Sequence, residues 1–122
     1  MKQVPEALSF MLGAWNERDL DKIRSHVDKC MSEKIVFADP DNFVQGKDEF
    51  TEMIVRFRQE EPETILKPTS GMDSHNNRFR YTWASYIDGV VSVKGLDVVQ
   101  LDENGLVERV DGFFGDLPPL GQ

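Results

Sequence analysis

The chain has 122 residues, 39% hydrophobic and 30% charged, which suits one ordinary globular domain spanning 1–122 with a core that needs no metal or disulfide. Its net charge of −8, from 14 Lys and Arg against 22 Asp and Glu, excludes nucleic acid and anionic membrane as expected partners. Cys30 is the single cysteine, so no intrachain disulfide can form. With no leader pattern and no run of membrane-spanning length, the cytoplasm is the expected compartment.

Val4, Leu8, Met11, Leu12 and Trp15 recur at helical spacing, which predicts an amphipathic helix over 4–14 with Pro5 in its first turn. A second helix is expected over 20–29, capped by Asp19, with Ile23 and Val27 on its buried side. Residues 34–39 read as a short strand stopped by Pro40. Gly46 then breaks the chain before a third helix over 47–60, whose apolar stripe is Phe50, Met53, Ile54 and Phe57 and which Pro62 ends.

Everything after Pro62 reads as sheet. Residues 64–72 predict one strand, weakened by Pro68 and Gly71. Residues 78–87 form the clearest strand, and Asp88-Gly89 is a hairpin signal leading into 91–101. The turn Asp102-Glu103-Asn104-Gly105 returns the chain along 106–114, and 116–122 leaves the sheet as extended chain. Helices first and an antiparallel meander afterwards make an α+β plan.

Asp97 stands out in this pattern. Period-two alternation puts it on the same face as Val99 and Leu101, with Val98 and Gln100 facing the other way. A carboxyl on an apolar face resists ionisation unless a cation or several donors meet it. It is either a hydrogen-bonded structural acid or part of a site.

Five strings in this order resemble the nuclear transport factor 2-like superfamily, in its SnoaL-like bacterial branch. They are Ala14-Trp15-Asn16-Glu17-Arg18-Asp19-Leu20, Val36-Phe37-Ala38-Asp39-Pro40 followed by Gly46, His75 to Trp83, Gly95-Leu96-Asp97-Val98, and Asp111-Gly112-Phe113-Phe114-Gly115. The resemblance implies a cone: a strongly curved antiparallel sheet wrapped around three N-terminal helices and enclosing a mostly apolar pocket. It also implies a homodimer through the outer face of the sheet. Members include steroid isomerases, polyketide cyclases, an epoxide hydrolase, dehydratases and non-enzymatic modules, so the fold alone names no activity.

Ketosteroid isomerases of this superfamily use one Asp as base, with a protonated Asp and a Tyr as oxyanion donors. Matched residue by residue, Asp39 takes the base position and Asp97 that of the protonated Asp. Met11 occupies the tyrosine position and can donate nothing. Steroid isomerisation is therefore not expected. The resemblance points Phe79, Tyr81, Trp83 and Ser85 inward, and it implies a ring-bearing ligand bound by Met11, Trp15, Phe57, Phe79, Tyr81, Trp83, Val99, Val110 and Phe114. Epoxide hydrolysis is disfavoured, because Gly112 rather than Asp111 meets the required position and the family's Arg-x-Asp reads Arg78-Phe79-Arg80.

No metal-ligand spacing and no Gly-rich phosphate loop is present, so neither metal nor cofactor is expected. His26 reads as a helix-packing residue and His75 as an exposed loop residue. Cys30 lacks a basic neighbour and reads as inert. Two functions remain open at this point. One is a cofactor-independent isomerase, cyclase or dehydratase using Asp39 and Asp97. The other is a non-catalytic ligand-binding or dimerising module, which suits Asp39 as a turn former before Pro40.

Overall fold

A computed structural model of the chain describes residues 4–122. Helix α1 spans Glu6–Asn16. Pro5 stands just outside it in extended backbone rather than in its first turn, and its carbonyl accepts from the Leu8 and Ser9 amides. The helix thus starts two residues later than the apolar spacing suggests. The Asp19 side chain caps a short 3-10 turn, Leu20–Lys22, by accepting from the Asp21 amide at 3.0 Å. That turn feeds α2, Ile23–Cys30.

Strand β1, Met31–Ala38, follows α2 without a loop and therefore starts before the expected Lys34. A three-residue strand that the alternation does not reveal, β2 at Phe43–Gln45, pairs back on β1. Helix α3 spans Gly46–Glu60, and Gly46 begins it at φ 86°, a conformation glycine adopts without strain.

The expected strand over 64–72 is divided into β3, Ile65–Pro68, and β4, Asp73–His75, both antiparallel to β5, Arg78–Ile87. Pro68 has no N–H for the ladder, and beyond it the Ser70 hydroxyl replaces a backbone acceptor by taking the Thr82 amide at 2.8 Å. Strands β6, Val90–Leu101, and β7, Val107–Phe114, complete the meander. The Asp88-Gly89 hairpin turns with both residues at positive φ, 51° and 77°.

The sheet order is β2-β1-β7-β6-β5-β3, with β4 also on β5. The meander is antiparallel as expected, but β1 lies parallel to β7, so the curved sheet is mixed and does not close. Helices cover one face. Ile23, Val27, Phe50 and Ile54 meet Ile35, Val99, Val107 and Val110, each with at most 1% of its surface exposed. Burying side chains of this size stabilises the fold by roughly 1.5–3 kcal/mol each before entropy is counted.

Two polar fasteners tie helices to sheet. The Asn16 amide imitates a strand partner, donating to the Leu66 carbonyl at 2.9 Å and accepting the Leu66 amide at 2.8 Å. Arg58 is buried at 3% exposure, and its guanidinium donates to the carbonyls of Thr64, Pro62 and Trp15. Among the described residues no helix is long and apolar enough to cross a membrane.

Candidate functional site

Strand register lays three rows of side chains across the concave face. The first is apolar and joins Phe37, Val110, Val99 and Phe79. Two residues along each strand, the second row joins Gly112, Asp97 and Tyr81, with Asp39 beyond the end of β1 beside Gly112. The third row is Phe114, Gly95 and Trp83. A polar row thus lies between two apolar ones on a single face.

Two glycines make this arrangement possible. A Cβ at Gly112 would sit 2.9 Å from Asp97 Oδ1 and 3.3 Å from Asp39 Cβ, so its absence lets both acids occupy one spot. A Cβ at Gly95 would overlap the Trp83 indole, so the bare backbone lets that ring lie across β6. From there Trp83 Nε1 donates to Asp97 Oδ1 at 3.0 Å. The Tyr81 hydroxyl donates to Asp97 Oδ2 at 3.4 Å, a long contact that a ligand oxygen can replace.

Burial is the main influence on Asp97 and pushes its carboxyl up from 3.8 to about 6. The Trp83 and Tyr81 hydrogen bonds oppose that shift, while the nearby Asp39 charge adds to it. Burial, followed by the Asp97 charge and hydrogen bond, pushes the Tyr81 phenol well above its usual range, so it stays a donor. Asp39 is held differently. Its Oδ1 accepts from the amides of Asp41 (2.9 Å) and Asn42 (2.8 Å) and from Asn42 Nδ2 (3.2 Å), closing the turn at Pro40. Its Oδ2 accepts no hydrogen bond among the described residues.

Both acids face a cavity of about 750 Å³ between the sheet and helices α1 and α3. One wall is an aromatic cluster in which Trp15 lies 5.4 Å from Phe57 and 5.9 Å from Phe37, centre to centre. The opposite wall carries Trp83 edge-on to Phe114 at 5.8 Å. Exposed Asp41, Arg56, Glu60 and Glu61 lie at the rim, with Ser70, Gly71 and Met72 from the segment between β3 and β4.

Of the residues expected at a site, Met11, Trp15, Asp39, Phe57, Tyr81, Trp83, Asp97 and Phe114 line this cavity. Phe79, Val99 and Val110 do not, which corrects the expectation for them: they share the face but lie in the row packed into the core. Sequence reasoning missed Phe37, Met53, Arg56, Glu60, Leu66 and Met72 as lining residues. For four of them a signal was present. Phe37 precedes Asp39 by one strand period, and Met53, Arg56, Phe57 and Glu60 fall on one face of α3.

Other candidates lie elsewhere. His26 Nε2 meets Glu17 Oε1 at 2.9 Å, tying α2 to the end of α1. His75 is exposed, with Nδ1 beside Asn76. Asp111 pairs with Arg109 at 2.9 Å, and neither lines the cavity. Burial pushes the Cys30 thiol up to about 12, leaving it un-ionised at neutral pH. Among the described residues no group of three or more His, Cys, Asp or Glu is placed to hold a metal ion.

No family model matches the chain, and no curated protein matches it. Solved structures do. A proposed isomerase of the SnoaL-like family from Agrobacterium tumefaciens superposes with TM-score 0.85 at 30% identity, covering 90% of this chain and 95% of that one. An NTF2-like protein from Exiguobacterium gives TM-score 0.74 at 16% identity, covering 91% and 99% of the two chains. A proposed polyketide cyclase from Sinorhizobium meliloti gives 0.70 at 12%, covering 89% and 94%. The last two establish the fold alone. The first, matched over nearly the whole of both chains, establishes the family: this chain belongs to the SnoaL-like family.

Proposed function

We propose that this SnoaL-like chain is a cofactor-independent enzyme of isomerase, cyclase or dehydratase type acting on a ring-bearing ligand in the cavity. The observation that carries this reading is the division of roles between two adjacent acids. Asp97 is half-buried, penalised for ionising and close to Asp39, so it holds a proton when a ligand displaces water from the cavity. Asp39 has one oxygen fixed by three N–H donors and the other unengaged.

Asp39 Oδ2 then takes a proton from the carbon beside a ligand carbonyl, and neutral Asp97 donates to the developing enolate oxygen. Tyr81, 3.4 Å from Asp97 Oδ2, supplies a second donor from β5 in place of the one Met11 cannot provide. Trp83 can only donate, so it keeps Asp97 Oδ1 an acceptor and leaves Oδ2 for the proton.

A second reading, a ligand-binding module without chemistry, is favoured by the Asp39 turn bonds, which are those of a structural Asp-Pro turn. A homodimer through the outer sheet face is compatible with both readings. It is supported by Phe113, 64% exposed beside Leu96 on that face. Residence in the cytoplasm is supported by the free, buried Cys30 thiol.

Proton–deuterium exchange at the α-carbons of 2-tetralone, followed by NMR, separates enzyme from module. The enzyme reading predicts exchange well above buffer, lowered at least ~100-fold by Asp39→Asn. Asp97→Asn keeps a donor and retains much of the rate, whereas Asp97→Leu loses at least ~10-fold. Exchange no faster than buffer, or equal rates for the Asn and Leu variants, would refute the mechanism.

A further inference from the structure

The cavity walls are apolar and aromatic, but the charges around them are strongly one-sided. Asp39 and Asp97 line it together with the exposed Asp41, Glu60 and Glu61 at its rim, against the single lining cation Arg56. None of the three rim carboxylates has an ion-pair partner among the described residues. Arg58 does not line the cavity, and of these acids its charge acts on Glu61, so the balance stays negative. The chain as a whole is also acidic, at −8.

A low-dielectric cavity lined and rimmed by acids concentrates negative potential. Anionic ligands meet that field throughout, while a cationic group gains from it and also from the faces of Trp15 and Phe57. We infer that the ligand is a ring-bearing organic cation, its ring against the aromatic wall and its amine at the Glu60–Glu61–Asp41 rim. Carboxylate, phosphate and thioester-carrier ligands with anionic tails are rejected. The inference rests on the cavity being the ligand site and adds the charge class of what enters it.

Three probes of one shape test this: 2-naphthylmethylamine, 2-naphthalenemethanol and 2-naphthoate, titrated against the intact chain by tryptophan fluorescence at low salt. The expected order is amine tighter than alcohol by about tenfold, with naphthoate weaker than the alcohol by a similar factor. The double change Glu60→Gln with Glu61→Gln should narrow the amine-to-alcohol ratio, and added salt should narrow it too. Equal affinity for amine and naphthoate, or tighter naphthoate, would overturn the charge selection while leaving the cavity as a site. If none of the three binds, the cavity reading beneath it is overturned as well.

Discussion

Two rows of side chains share the same strands and the same face, stand two residues apart, and have opposite chemistry. Phe37, Val110, Val99 and Phe79 form an apolar row in which Val99 and Val110 have no exposed surface and only Phe37 borders the cavity. Asp39, Asp97 and Tyr81, with Gly112 beside the two acids, form a polar row whose three side chains line the cavity. The difference teaches that face and depth are separate variables on a curved sheet. Alternation fixes which side a residue occupies, and position along the strand decides whether it fills the core or meets a ligand.

Moving the chemistry one step towards the core should be the most damaging change. Val99→Asp places a carboxylate in the dry row with no donor arranged for it. The expected loss at pH 7 is about 3–5 kcal/mol by urea unfolding. A loss under ~1 kcal/mol would mean the rows are not as distinct as their burial implies.

Removing the charge from the polar row should act in the opposite direction. The folded carboxyl of Asp97 titrates near 6 against 3.8 without the fold. Folding therefore favours the protonated form. The stability that this proton contributes is fully present below about pH 4 and is lost as pH rises through about 6. Asp97→Asn has nothing to ionise. It should be more stable than the parent at pH 8 by up to about 3 kcal/mol, with the two converging below pH 4. Parallel stability–pH curves for the two proteins would contradict this.

Crowding the gap in the polar row should cost least. Gly112→Ala brings a methyl to 2.9 Å from Asp97 Oδ1 and displaces the carboxyl from Trp83. The expected stability loss is about 1–3 kcal/mol, accompanied by loss of tetralone exchange. Unchanged stability and exchange would mean that the two acids do not depend on the opening at Gly112.

Much of this was legible in the chain itself. The α+β order, the third helix, the β5–β6 hairpin at Asp88-Gly89 and the inward face of Asp97 follow from periodicity and turn chemistry. The assignment of Phe79, Val99 and Val110 to the pocket failed because alternation carries no depth. The division of β3 from β4 was signalled by Pro68 and Gly71, but the Ser70 bond to the Thr82 amide needs the fold to exist. The parallel β1–β7 pair was hidden because the two strands are far apart in the chain and alternation does not say which strands pair. The Trp83–Asp97 bond had one sequence trace, a glycine in the middle of a strand at Gly95. That residue marks a close approach without saying what approaches.

The central claim is that Asp97 is a half-buried acid whose ionisation the site resists. Its carboxyl can be followed directly by 13C NMR across a pH titration of the parent chain and of Asp39→Asn. The account predicts a midpoint near 6 in the parent, moving downward when the Asp39 charge is removed. A midpoint at or below about 4, unaffected by Asp39→Asn, would contradict it.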